Sequence, residues 1–371
     1  MDRWRRNGTR GVWLFSLRGW VEVFYQRYEC MRCGAFWSDT PDMTFGEYTV
    51  EVVEFVVFAY LKTLSLNVGV TLLRAFYEQD ILSKWQVLHF IERVADRLPS
   101  MEAVTVHFKP QRSGWYAWDG TWFKYRGHDF VLLICFDVRT LDVVNYVLAP
   151  EEDAKAYERL VEKVTAEISC NCKGFHADGD LGLLKVLSEH FPSVPIQVCS
   201  FHRYARVGQV IAFHRPKHPL HAELKVLVER VLFATSEAKA REHLVALERF
   251  VEAHKANRKL RQVLQIVRYN FELLLTHFRH PEMSPYNNVL EGFNGLLKRR
   301  IQLMKGFKKP INIHRYFKLF LLDYRFHFLL ESKIPKRNGR SPLQLAGCKI
   351  PKHYNWIKLL RTTLALHQPV S

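Results

Sequence analysis

Between Thr49 and Leu98 apolar residues recur at helical spacing: Val52, Val53, Phe55, Val56, Ala59 and Tyr60, then Val68, Leu72, Leu73 and Phe76, then Trp85, Leu88, Ile91 and Val94. The spacing predicts three helices, with breaks at Ser65-Leu66-Asn67 and at Asp80 to Ser83, and with Ser83 as N-cap of the third. After Pro99 the period becomes that of strands. Trp115 to Tyr125, Phe130 to Val138 and Val143 to Leu148 are β-rich runs joined by Arg126-Gly127-His128 and Arg139-Thr140-Leu141, short enough for an antiparallel meander. The acidic run Pro150-Glu151-Glu152-Asp153 then opens a helix to about Ile168. A strand at Lys173 to Ala177, a helix at Leu181 to His190, a strand at Ile196 to Cys199 and a helix from about His202 follow. Residues 220–279 read as three more helices, Ala222 to Phe233, Ser236 to His254 and Arg258 to His277. Past a loop at Pro281 to Asn288 come helices at Val289 to Met304 and Ile311 to Leu330. At the start, Gly11 to Leu17 and Val21 to Tyr28 read as short strands.

Three antiparallel strands continuing into β-α-β alternation is the strand order of the RNase H-like fold. The expected class is therefore α/β: an RNase H-like core in two parts, 110–215 and 286–330, interrupted by an all-α insertion at 216–285 and followed by a basic tail at 331–371. Ahead of the core, residues 45–100 read as a helix-turn-helix-like DNA-binding domain, with Lys84, Gln86 and His89 on the outer face of its third helix. A plain helical linker is the alternative. Residues 1–40 read as a partial zinc ribbon, because Cys30-Met31-Arg32-Cys33-Gly34 after a strand is one zinc knuckle. Cys30 and Cys33 supply two thiolates of the four ligands needed, and neither Cys nor His precedes them. The zinc site is thus incomplete unless a preceding segment, another chain or a downstream residue completes it.

Charge adds the partner. The 371 residues carry 54 Lys+Arg against 37 Asp+Glu, a net +17. Most of the excess lies from Glu291 onward, where 17 Lys+Arg meet 3 Asp+Glu. Lys298-Arg299-Arg300, Lys305, Lys308-Lys309 and Lys333 to Arg340, interleaved with Phe307, Tyr316, Phe317 and Trp356, suit contacts to a phosphate backbone. A merely solvated basic surface is the plain alternative. No window supplies the ~18 uncharged apolar residues of a membrane span; the most apolar stretch, Tyr48 to Tyr60, contains Glu51 and Glu54. The basic start lacks the apolar region of a secretory signal, and seven scattered cysteines are no disulfide framework. A reducing, cytoplasmic and nucleoid-associated setting is expected.

Three acids stand where such a fold gathers metal ligands. Asp119 lies on the first core strand, in Trp118-Asp119-Gly120-Thr121-Trp122; Asp178 ends the fourth, in His176-Ala177-Asp178-Gly179-Asp180; Glu291 opens the helix after the insertion. Asp180 is the main rival to Asp178, and Asp137 a weaker one. Singly each acid has a local explanation: a turn beside Gly120, a loop after a strand, and a charge favoured at a helix N-terminus. Together they form a set of carboxylates suited to Mg²⁺ (or Mn²⁺) and two-metal phosphoryl transfer. On the helix from Val289, positions 291, 295 and 298 share a face, which points Lys298 towards the same cleft. Gly292 and Gly295 weaken that helix, which suits close approach of DNA or, for Gly295, packing on the sheet. Cys199-x2-His202 reads either as a structural pair or as half of a zinc site, with no partner pair apparent to complete it.

The run Asp119-Gly120-Thr121-Trp122, the Asp178-Gly179 strand end, Cys199-Ser200-Phe201-His202, the α insertion, Asn288-x2-Glu291-x2-Asn294 and the following Lys298-Arg299-Arg300 resemble a DDE transposase of the Mutator-like insertion-sequence group. The resemblance runs over residues 115 to 330, and Ser341-Pro342-Leu343-Gln344-Leu345-Ala346-Gly347 resembles the group's C-terminal tail. It implies that Asp119, Asp178 and Glu291 are catalytic and hold two Mg²⁺ ions, with Cys199 and His202 in support. It further implies that water nicks transposon-end DNA, that the freed 3′-hydroxyl attacks target DNA, and that a homo-oligomer synapses the ends. A structure-specific nuclease and an inactive, recruited DNA-binding protein are the alternatives; joined DNA products distinguish the first, and indifference to Asp119→Ala the second.

Overall fold

The turn Arg126-Gly127 sets the register of the central sheet. Both residues hold left-handed backbone angles, φ 50° and 85°, as a two-residue hairpin turn demands. In the computed structural model, described for residues 4–39, 46–213, 219–303, 307, 309–351 and 355–363, the chain forms two units. One takes residues 1–103, 309–323 and 351–371, the other 104–308 and 324–350.

The first unit contains a three-stranded antiparallel sheet, β1 (Trp4–Ser16), β2 (Gly19–Cys30) and β3 (Phe36–Ser38), in that order. Its hairpin is longer than alternation alone suggests, with Trp4 opposite Cys30. The Cys30–Cys33 knuckle forms the β2–β3 turn, closed by Gly34 N–H donating to Cys30 O at 2.9 Å. Three helices follow, α1 (Val50–Thr63), α2 (Leu66–Tyr77) and α3 (Lys84–Arg97). Ser83 caps α3 in a reciprocal box with Gln86. Gln86 also donates to the Tyr48 hydroxyl at 3.0 Å, which ties it into the fold, while Lys84 and His89 stay exposed. An extra helix, α4 (Met101–Phe108), starts where the pattern after Pro99 had suggested strands, and the Ser100 hydroxyl accepts from Ala103 N–H at 3.2 Å.

The second unit is built on a five-stranded mixed sheet ordered β6-β5-β4-β7-β8. β4 (Trp115–Tyr125), β5 (His128–Asp137) and β6 (Asp142–Ala149) are the antiparallel meander; β7 (Gly174–Ala177) and β8 (Ile196–Val198) continue it in parallel beside β4. Helices α5 (Ala154–Ile168) and α6 (Leu181–His190) are capped by Asp153 and Asp180. Tyr157, Leu160 and Val161 of α5 join Tyr116, Trp118, Leu133 and Cys135 in one buried cluster, so one face of the sheet is covered by helix. On the opposite face Phe136 packs on Phe293, ring centroids 5.4 Å apart.

After α7 (Ser200–Ile211) come the helices α8 (Pro219–Leu232), α9 (Glu237–Ala253) and α10 (Arg258–Arg268). The expected single helix from Arg258 to His277 is broken. Asn270 adopts a left-handed conformation, φ 47°, which Asn tolerates better than most residues, and two short turns follow, α11 (Phe271–Leu274) and α12 (Thr276–Arg279). Next are α13 (Asn288–Leu303) and α14 (Pro310–Phe326). The helix read to Leu330 stops at Phe326 because Leu329 pairs instead with Gly339 and Arg340. Short helices α15 (Pro342–Leu345) and α16 (Trp356–Thr363) complete the chain. Met304, Lys305 and Lys308 of the basic block lie outside the described residues. No helix among the described residues is long and apolar enough to cross a membrane.

A buried ion network ties the edge of this sheet to the chain that returns after α13. Asp142 at the start of β6 accepts from Arg325 Nε and Nη2, both at 2.9 Å, and from Arg112, which also reaches Glu167. Burial alone raises the pKa of Asp142, but the two guanidinium groups hold it below the usual carboxylate range. Removing the carboxylate strands two buried cations, so Asp142→Ala is expected to cost about 3–5 kcal/mol of unfolding free energy. Chemical denaturation followed by tryptophan fluorescence checks this; a loss under about 1 kcal/mol would show that the network does not anchor the sheet.

Candidate active site

Parallel pairing assembles the centre of the site. Ala117 of β4 pairs with His176 of β7, and Ala177 of β7 with Val198 of β8. Continuing both registers brings Asp119, inside β4, into one row with Asp178 and Cys199, which follow the carboxyl ends of β7 and β8, the side on which open α/β sheets bind ligands. Neighbouring strands lie about 4.8 Å apart. Asp119 sits within a continuous strand, Gly120 still pairing with Leu133, so the turn explanation for this acid fails. Gly120 is required by crowding: a Cβ there would lie 2.9 Å from Glu152 Oε1 and from Val131. Gly179, by contrast, does serve a turn, at φ +94°.

The rival acids have other occupations. Asp180 caps α6 through Leu183 N–H at 3.0 Å, and its own N–H donates to Asp178 Oδ1 at 2.9 Å. Asp137 lies opposite Tyr116, towards the other end of β4. It is buried and accepts from the Ser113 amide and hydroxyl, both at 2.6 Å, and from the Arg139 and Thr140 amides at 3.0 and 3.1 Å. It organises a turn.

Helix α13 lies across the row. Asn294 Nδ2 donates to Asp119 Oδ2 at 2.8 Å. One turn earlier Glu291 Oε1 lies 3.8 Å from Cys199 Sγ and 3.6 Å from His202 Nδ1. One turn later Lys298 exerts its charge on Asp119. The face towards the acids is therefore 291, 294 and 298, and Asn294 is a site residue that the reading of single charges missed, although its i+3 spacing from Glu291 was visible. Arg299 is exposed and Arg300 half-buried. Gly292 and Gly295 face open space: a Cβ on the former would touch nothing, and on the latter only Arg299 Nη1 at 3.7 Å, so packing on the sheet does not explain Gly295.

Electrostatics single out Asp119. It is 9 % exposed, and burial together with the charge of Asp178 pushes its pKa up to about 7; Glu152 adds to this, while Lys298 opposes it. Glu152 is a fourth acid that the sequence reading took for a helix-opening charge. Trp122 Nε1 and the Tyr157 hydroxyl donate to it, and burial raises its pKa against the bond from Tyr157, with Asp178 raising it further. Asp178 has a cation nearby, Arg206 Nη2 at 3.7 Å from Oδ2. His202 is held above its usual pKa by interaction with the Cys199 sulfur, against burial, and by the charges of Asp178 and Glu291.

Elsewhere, Cys30 has its pKa lowered by the Arg32 and Cys33 amides aimed at its sulfur and by the Cys33 side chain. Among the described residues no third ligand stands with the pair; the one group of three potential ligands is Cys199, His202 and Glu291. Lys84 lies at the first turn of α3, its ammonium 5.3 Å from the Trp85 ring centroid.

Carboxylates aligned at one sheet edge, with cations near each and a basic helix above, are suited to holding divalent ions against a phosphodiester. The comparisons with known proteins agree in direction. The transposase for insertion sequence element IS905 of Lactococcus lactis subsp. lactis (strain IL1403) is 24 % identical over 188 residues, 50 % of this chain and 45 % of that protein. The match thus spans less than half of the relative's length. Residues 132–329 match the family model described as transposase, Mutator family, a segment that contains Asp178 and Glu291 and begins after Asp119. With that match running over more than half of its length, from β5 past the end of α14, the chain belongs to the Mutator family of transposases.

Proposed function

We propose that this chain is a DNA transposase whose RNase H-like core carries a DDE site made of Asp119, Asp178 and Glu291. The observation that carries the reading is the shared register of Asp119 and Asp178, with α13 bound to Asp119 through Asn294. The fit to divalent ions rests on charge: burial and the charge of Asp178 raise the pKa of Asp119, a repulsion that a bound cation would relieve. Asp119, Asp178 and Glu291 would hold Mg²⁺ or Mn²⁺, oxygen donors being what these hard ions prefer. When bound, such ions activate an attacking oxygen and stabilise charge at the phosphate.

The chain's own contribution is positioning. Asn294 fixes Asp119 Oδ2, Arg206 and Lys298 moderate the negative field, and Lys298, Arg299 and Arg300 offer cations to the DNA backbone. Lys84 opens the third helix of a helix-turn-helix that would read the element end, and the domain order runs from the ribbon-like segment through this helical domain to the interrupted core. The substrates are transposon-end and target DNA: water attacks at the end, and the freed 3′-hydroxyl attacks the target. Two ends require a homo-oligomer.

Asp178→Asn is expected to abolish Mg²⁺-dependent cleavage of labelled end DNA while leaving DNA affinity within about threefold, since phosphate contacts come from Lys and Arg. Retained cutting would refute the site, whereas cleavage without joined products would favour a nuclease. Because Asp119 has a raised pKa, the metal-free protein binds one more proton folded than unfolded between roughly pH 4 and 7, and loses stability as pH rises through that window. Asp119→Asn should therefore raise the melting temperature of metal-free protein by a few degrees at pH 8 and by less than half as much at pH 5; an equal shift at both would remove the electrostatic argument. Arg299→Ala should reduce the slope of log affinity against log salt by about 0.9, and an unchanged slope would take Arg299 out of the DNA contact.

A further inference from the structure

We propose that Cys199, His202 and Glu291 form a binding site for a thiophilic divalent cation, zinc above all, in which Glu291 is shared with the carboxylate site. The register explains why the three meet. Cys199 follows β8 as N-cap of α7, its sulfur making no capping hydrogen bond, and His202 stands three residues on in the first turn. Glu291 arrives from α13. Their donor atoms all lie within 4.8 Å of one another, Glu291 Oε1 being 3.8 Å from the sulfur and 3.6 Å from His202 Nδ1. Zinc bonds of ~2.0–2.3 Å place tetrahedral donors roughly 3.3–3.6 Å apart, so closing on an ion needs shifts of about an ångström or less.

Two further observations point to a ligand. His202 Nδ1 is cut off from solvent and makes no hydrogen bond of ordinary length. Cys199 is 1 % exposed, while His202 and Glu291 keep side-chain exposures of 32 % and 38 %, which gives an ion a way in. One thiolate, one imidazole and one carboxylate match a soft or borderline ion and not Mg²⁺, which does not take sulfur. Three protein donors leave the fourth tetrahedral position open. Binding displaces the Cys199 thiol proton to solvent.

The coordination stands independently of the proposed function; only its consequence, that the ion draws Glu291 away from Asp119 and Asp178, rests on that reading. The probe is Co²⁺, added to the full chain carrying Cys30→Ser and Cys33→Ser so that the knuckle contributes no signal. A thiolate-to-cobalt charge-transfer band saturating at one equivalent and lost on adding Zn²⁺ is expected. Cys199→Ser should remove the band, and His202→Gln and Glu291→Gln should each weaken binding by at least ~10-fold, whereas Asp119→Asn should hold it within about threefold. No band, or one that survives Cys199→Ser in folded protein, overturns the site; full affinity in His202→Gln does the same where Cys199→Ser misfolds. Full affinity in Glu291→Gln overturns the sharing. Cleavage lost in Asp119→Asn alongside an absent band would sink this inference and spare the DDE reading, and the reverse pattern would do the opposite.

Discussion

The parallel pairing of β4, β7 and β8 is the constraint on which the site depends. Side chains alternate along a strand, so a slip of one residue would turn Asp178 to the opposite face in the β4–β7 pairing and Cys199 in the β7–β8 pairing. With Ala117 beside His176 and Ala177 beside Val198, positions 119, 178 and 199 fall into one row. Everything else at the site is arranged relative to that row: α7 begins at its Cys199 end, and α13 crosses from Cys199 to Asp119.

The same pairing concentrates negative charge, and the fold answers it unevenly. Asp178 has Arg206 nearby, and Asp119 feels the charge of Lys298, yet burial and Asp178 still push the Asp119 pKa up to about 7. Glu152 intensifies the repulsion from the face beneath Gly120. Such a centre is less stable than it would be with neutral side chains. By contrast, the Arg112–Asp142–Arg325 network is compensated within the protein and serves architecture.

Glu291 occupies an intermediate position. Its helix is bound to Asp119 through Asn294, but its carboxylate rests against Cys199 and His202. One turn of α13 thus connects two donor sets of different chemistry, oxygen-rich at one end and sulfur and nitrogen at the other.

Local pattern determined the element list: the three-strand meander, the helix ending at Ile168, the helix over Leu181 to His190 and the Ser83 cap follow from periodicity and capping chemistry, which act within a few residues. It also drew attention to Asp119, Asp178, Glu291, Cys199 and His202, because carboxylates at strand ends and a Cys-x2-His pair are unusual where they occur. Only the tertiary structure decided which of these meet. Asp178 is distinguished from Asp180 by a cap, Asp137 is removed by its turn, and Asn294 and Glu152 enter through contacts 175 residues away from Asp119 in one case and through a strand face in the other. The break at Asn270 and the stop of α14 likewise depend on backbone geometry and on pairing with distant residues. The physical reason is one of range: periodicity records which way a side chain faces, whereas register and helix crossing determine what it faces.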